Sequence, residues 1–164
     1  MENHKYIRGR TGEKLYSILN ELIDISEKQQ QKFEKMHFGN SLAKAKEFRT
    51  IHLQTARQAG HTYALIETAI TRFDKSIILS PNVAMSNHIK TAIKKQRESQ
   101  QTGEVVLATT NSLDRLRGLD NIDAIDAVFI DCSFMLSKSK KEDIYNTCLW
   151  MKKEDKPFFF IFVQ

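Results

Sequence analysis

The residues best placed to do chemistry lie in the run Ile51-His52-Leu53-Gln54-Thr55-Ala56-Arg57-Gln58-Ala59-Gly60-His61-Thr62-Tyr63. A short apolar segment there meets a polar turn ending in Gly60, and apolar residues at helical spacing follow from Thr62. Strand, turn and helix in that order are the setting of a phosphate-binding loop. In the pattern Gly-x-x-x-x-Gly-Lys-Ser/Thr, flexible backbone and successive N–H groups cradle phosphates. The lysine neutralises them, and the hydroxyl holds magnesium. Here Thr55 stands at the first glycine, Gly60 and Thr62 match, and His61 occupies the lysine position. The loop keeps its shape and loses its permanent charge, because an imidazole with a pKa of about 6.5 is mostly neutral at pH 7. The nucleotide-binding set expected from this spacing is Arg57, Gln58, Ala59, Gly60, His61, Thr62 and Tyr63.

A second chemical position closes the apolar run Ala127-Val128-Phe129-Ile130 with Asp131. An acid at the end of such a strand helps hold the magnesium of a bound nucleotide, so Asp131 and Thr62 are the expected metal pair. Cys132 follows directly and is expected as a strand-end thiol, not a nucleophile. The five histidines are scattered, and neither Cys132 nor Cys148 has a second cysteine at zinc spacing. Lys90, Lys94, Lys95 and Arg97 form a basic stretch, with Arg115 and Arg117 further on and a cluster at Lys138, Lys140 and Lys141. These are the candidates for contact with nucleic-acid phosphates, and Arg115 and Arg117 also for a trans-acting role in an assembly.

The elements that must position these groups can be read from periodicity. Leu15, Ile18, Leu19, Leu22, Ile23 and Ile25 predict a helix from Thr11, its expected cap, with Phe33 and Met36 continuing the stripe before Gly39-Asn40 breaks it. A short helix over 41–48 leads to a strand at 50–53, and a helix over 62–72 follows the loop. Strands are expected at 76–79, 104–108, 127–131 and 158–163. Helices are expected at 82–97, starting from Ser80-Pro81-Asn82, and at 138–150. Residues 109–118 are expected as a turn-like segment, and Trp150 and Phe158-Phe159-Phe160 as core. Short apolar strands alternating with helices argue for a mainly parallel sheet covered on both faces.

At 164 residues and 41% hydrophobic, the chain has room for one compact domain: a helical segment at 1–49 and an α/β unit at 50–164. Twenty-five Lys plus Arg against twenty Asp plus Glu give a net charge of +5, which suits a polyanionic partner. Unpaired cysteines, the lack of a signal-type apolar block and the lack of any run near ~20 apolar residues predict a cytoplasmic protein without a membrane partner.

Taken in order, these segments resemble the ATPase core of the large terminases of tailed bacteriophages and of related helicase-type P-loop NTPases. Arg57-Gln58-Ala59-Gly60-His61-Thr62 is similar to their Arg-Gln-x-Gly-Lys-Thr loop, and Ile77-Ile78-Leu79-Ser80-Pro81-Asn82 to their second strand and its turn. Asn111 to Gly118 resembles the Ser-rich, Arg-Gly segment before the acidic strand. Phe129 to Met135 resembles that strand, and Phe158 to Gln164 the next, where those ATPases place a coupling motif. The resemblance runs from Ile51 to Gln164 and implies a three-layer P-loop NTPase-like α/β fold with an N-terminal helical extension. It also implies ATP and Mg2+ as ligands. An active member has Lys at position 61, an acid after Asp131 and usually a nuclease domain. This chain has His61 and Cys132.

The two departures point away from rapid hydrolysis, since a positioned general base typically contributes ~10²–10⁴-fold. The expected function is a hydrolysis-deficient, nucleic-acid-binding or accessory protein in phage DNA metabolism or packaging, with DNA and a protein partner or second copy as partners. Two alternatives stand beside it. One is a weakly active ATPase subunit completed by a partner; the other is a protein-interaction module that docks through its N-terminal helix.

Overall fold

The computed structural model describes residues 10–33, 35, 40–55, 60–97, 103–119, 122, 124–152 and 156–164, with main chain alone at positions 10 and 97. Helices α1 (Arg10–Phe33) and α2 (Ser41–Phe48) precede strand β1 (Thr50–Leu53). Then come α3 (His61–Thr71), β2 (Lys75–Ser80), α4 (Val83–Arg97), β3 (Glu104–Thr109), β4 (Ala127–Ile130), α5 (Lys138–Cys148) and β5 (Phe159–Val163). Short 3-10 segments at Leu113–Gly118, Ser133–Met135 and Leu149–Met151 complete the described elements.

The five strands form one sheet in the order β1-β5-β4-β2-β3, and every pairing is parallel. The apolar character of β4 and β5, buried at every position, is what a central strand covered on both faces requires. On one face Leu15, Leu19 and Ile23 of α1 pack with Leu65 and Ile66 of α3 and Ile89 and Ile93 of α4 against Ile78, Phe129 and Ile161. On the other, Ala45, Leu113, Leu116, Ile144 and Cys148 cover Ile77, Val128, Phe160 and Phe162. The result is the expected three-layer α/β domain, its sheet wholly parallel. Among the described residues no helix is long and apolar enough to cross a membrane.

Local chemistry accounts for the helix starts. Asn40 Oδ1 accepts from Ala43 N–H at 2.8 Å, Asn82 Oδ1 from Met85 N–H at 2.9 Å and Ser137 Oγ from Lys140 N–H at 3.2 Å. Three expectations are corrected. Thr11 lies inside the first turn of α1, not before it. Residues 113–118 wind into 3-10 geometry because Leu113 and Leu116, three apart, are both buried against the sheet. Trp150 is 48% exposed, whereas Phe158, Phe159 and Phe160 are core as expected. The stripe's continuation at Met36 and the break at Gly39 fall outside the described residues.

The two helices before β1 divide between the layers. α1 joins the core of the α3 face, and α2 contributes Ala45 to the opposite one. The α1–α3 contact is also polar: Tyr16 hydroxyl meets Thr71 Oγ1 at 3.1 Å, and the Arg72 guanidinium bonds Asp24 and Glu27.

Candidate functional site

Because all five strands run the same way, their C-terminal ends gather on one rim, where open parallel sheets place their ligand sites. β5 lies between β1, which Thr55 follows, and β4, which Asp131 follows. Gln164, just past β5, joins the two sides. Its N–H donates to Leu53 O at 3.0 Å, its carbonyl accepts from Thr55 N–H at 3.2 Å, and its Oε1 accepts from Ser133 Oγ at 3.3 Å.

Gly60 caps α3 in the left-handed region, at φ 86° and ψ 25°, with its carbonyl accepting from Ala64 N–H at 3.0 Å. Its Cα faces the first turn of α1, where a β-carbon built on Gly60 would stand 2.7 Å from Gly12 Cα. A β-carbon on Gly12 would in turn stand 3.0 Å from the Tyr63 ring. The loop's last residue and the start of α1 are therefore in backbone contact, and two glycines make that approach feasible.

His61 opens α3 half-buried, and its Nε2 bonds Thr55 Oγ1, so the side chain at the lysine position reaches back to the residue at the first-glycine position. Burial lowers the imidazole pKa, and the Asp131 carboxylate only partly offsets that. The ring is therefore neutral at pH 7. Thr62 and Tyr63 follow, half-buried, in the same turn. Arg57, Gln58 and Ala59 lie outside the described residues.

Asp131 is 3% exposed. Its Oδ1 accepts from Cys132 N–H at 2.9 Å, while Oδ2 is buried with no hydrogen-bond partner among the described residues. Burial raises the carboxyl pKa, and the Cys132 hydrogen bonds, His61 and His88 pull it part of the way back. Cys132 takes the left-handed conformation, φ 53°. Its thiol, desolvated and bonded to Asp131, is pushed up to about 11. At neutral pH it is protonated and cannot serve as a base.

The basic residues do not form one surface. Lys90, Lys94 and Lys95 stand exposed on α4, which packs on the α3 face of the sheet. Arg115 and Arg117 belong to the 3-10 segment on the other face, and the side chain of Arg97 lies outside the described set. Spacing along the chain could not separate these two groups; the crossover topology does. Among the described residues no three His, Cys, Asp or Glu side chains converge as a metal cluster.

Three further positions belong to the rim without a motif to mark them. Gln164 is the first polar residue after an unbroken apolar strand, and Gly12 is a glycine inside a helical run, both of them signals present in the sequence. His88 bears on Asp131 from α4 without any local signal.

No protein-family description matches the chain, and no curated protein matches it. Among solved structures, the large terminase ATPase domain of Thermus phage P74-26, in a mutant form, is similar to it. That match has 14% identity and a TM-score of 0.49, and covers 84% of this chain and 68% of that one.

Proposed function

We propose that this chain is a degenerate terminase- or helicase-like P-loop domain that binds nucleotide weakly, hydrolyses it poorly and serves as a nucleic-acid-binding or accessory protein, in phage DNA metabolism or packaging. The observation that carries the reading is Asp131. A buried carboxylate with one oxygen unpartnered, at the rim where a strand–loop–helix unit opens, is suited to a cation. Asp131 and Thr62 would hold Mg2+, and residues 57–63 would meet the phosphates. Bound there, the metal would supply charge neutralisation to the phosphate oxygens.

The chain's own residues restrict the chemistry open to a bound nucleotide. Neutral His61, tied to Thr55, offers a phosphate a hydrogen bond in place of a full positive charge. Cys132, protonated and directed at Asp131, cannot take a proton from an attacking water. Both features support retention of nucleotide over turnover.

The test is calorimetric titration with ATP, with and without Mg2+, on wild type, His61→Lys and Asp131→Asn. Restoring the lysine should tighten binding at least tenfold, about 1.4 kcal/mol, because a charged hydrogen bond replaces a neutral one. Asp131→Asn should remove the Mg2+ dependence. Unchanged affinity in His61→Lys would mean that the loop does not face a phosphate. For the nucleic-acid half of the reading, a gel-shift titration should show binding that weakens steeply with salt and has little sequence preference. Absence of any shift at low salt would remove it.

A further inference from the structure

Strand β3 ends the sheet. It pairs with β2 in uninterrupted register from Lys75↔Glu104 to Ser80↔Thr109, and among the described residues no strand pairs with its other side. Main-chain direction along it follows from its two ends. Glu104 N–H donates to Asp74 O at 2.8 Å, and Thr110 N–H to Ser80 O at 2.9 Å. Even-numbered residues therefore bond inward to β2. By the alternation of a strand, Val105 and Leu107 direct both N–H and C=O at the open side.

Natural edge strands are blunted by charge, proline, a bulge or short length. β3 has none of these beyond Glu104: it runs six residues without a bulge, and Val105-Val106-Leu107-Ala108 carry no charge. Both faces of the strand are nonetheless occupied. Val105 and Leu107 pack against one core and Val106 and Ala108 against the other, each side chain half-buried. Among the described residues, what stays open is the edge itself. The opposite edge, β1, is two residues shorter and exposes His52 midway.

We infer that the open edge of β3 is a self-association site, at which a second copy of this chain adds its own β3 antiparallel across a two-fold axis. Residues facing each other in such a pair must lie on the same face of the sheet. With the axis at Val106, Val105 meets the copy's Leu107 on one face, and Val106 meets its counterpart on the other. The outward N–H and C=O groups of Val105 and Leu107 then exchange four main-chain bonds with the copy. The row of partial charges is thus its own complement, and no charged side chain opposes another: Glu104 falls opposite Ala108. This occupant fits the edge without an arriving sequence of different chemistry, and an isologous contact closes at two copies. The same operation sets α4 beside its counterpart, with Lys90, Lys94 and Lys95 on both. At net +5 the pairing should therefore strengthen with salt, which screens that repulsion.

Sedimentation equilibrium and residue-resolved amide exchange on the full chain, across a concentration series at low and high salt, test the inference. The expected result is a monomer–dimer equilibrium, tighter at high salt. In it the Val105 and Leu107 amides slow as dimer accumulates, while those of Val106 and Ala108 are slow throughout. Val105→Pro removes an outward donor and spares the β2 ladder, so it should weaken dimerisation at least tenfold with the inward amides still protected. A wild type monomeric at about 1 mM, the weak end of specific association, would overturn the inference. So would dimerisation with fast Val105 and Leu107 amides, a Val105→Pro variant that folds and dimerises like wild type, or assembly into fibrils without a discrete dimer.

Discussion

Gly60→Ala is the substitution whose cost the structure specifies most fully. At φ 86° an L-residue incurs about 1–2 kcal/mol of left-handed strain. The new β-carbon would also lie 2.7 Å from Gly12 Cα and 3.1 Å from Gly12 N. Those are backbone atoms, so relief requires α1 to shift as a unit, and forced shifts of that kind cost about 1–3 kcal/mol. The reduced freedom of the unfolded alanine chain returns about 0.4–1 kcal/mol. The net expectation is a loss of about 2–4 kcal/mol. In a domain of this size that is a fall in Tm of roughly 4–16 °C. Urea unfolding followed by circular dichroism, with the m-value checked for constancy, measures it. Two other glycines serve as controls. Gly118→Ala introduces a β-carbon with nothing within 4 Å and should stay within about 0.5 kcal/mol of wild type. Gly12→Ala meets the rim of the Tyr63 ring at 3.0 Å. That side chain can yield, and alanine favours the helix by up to about 1 kcal/mol, so the change should be small. A Gly60→Ala protein as stable as the Gly118→Ala control would refute both the seating of α1 on the loop and the reasoning built on it.

Asp131→Asn should raise stability at pH 7, because a buried, half-partnered charge of this kind costs about 1–3 kcal/mol. The folded-state pKa is raised above the ordinary 3.8, so protonation favours the folded form. The penalty is absent below that value and grows as pH rises through the folded pKa. The gain in Tm should accordingly shrink toward zero near pH 4, and a gain of equal size at both ends of the range would contradict the assignment. Cys132, with its thiol near 11, should react with iodoacetamide at pH 8 about a hundredfold more slowly than a cysteine of ordinary pKa. Asp131→Asn should speed that reaction by removing the negative charge that disfavours the thiolate. Peptide mapping by mass spectrometry reads the rate, and labelling at the speed of a free peptide would count against the Asp131–Cys132 contact.

How far the chain is legible ahead of its structure depends on the range of the interaction. Element order, the β1–loop–α3 unit and the strand ending at Asp131 are legible, since hydrophobic period and turn residues are local signals. That β1 pairs with β5, and that α1 and α2 fall on opposite faces, is not, because such neighbours are distant in sequence. Gly60 shows the mixture. Its type and position suggest a flexible phosphate loop, yet the structure supplies a second cause for glycine there, the backbone of Gly12. The acid at 131 can be placed at a strand end, but its unpartnered oxygen and its bond to Cys132 depend on packing that no spacing rule encodes. Trp150 departs from the expected core position for a related reason: an aromatic near a helix end carries no local mark of which way it turns.

The register of β1 against β5 also sets a schedule. Thr50 pairs with Phe160, so an edge strand made early finds its partner about 110 residues later. At ~5–20 residues per second, synthesis takes roughly 5–20 s to supply that partner. In that interval β2, β3 and β4 can already associate, whereas Ile51 and Leu53 have no strand to lie beside. Leu15, Leu19 and Ile23 of α1 meanwhile have only part of the surface they later cover. β5, the strand between β4 and β1, is therefore the piece that ties the N-terminal third into the sheet, and it is the last of the five to be made.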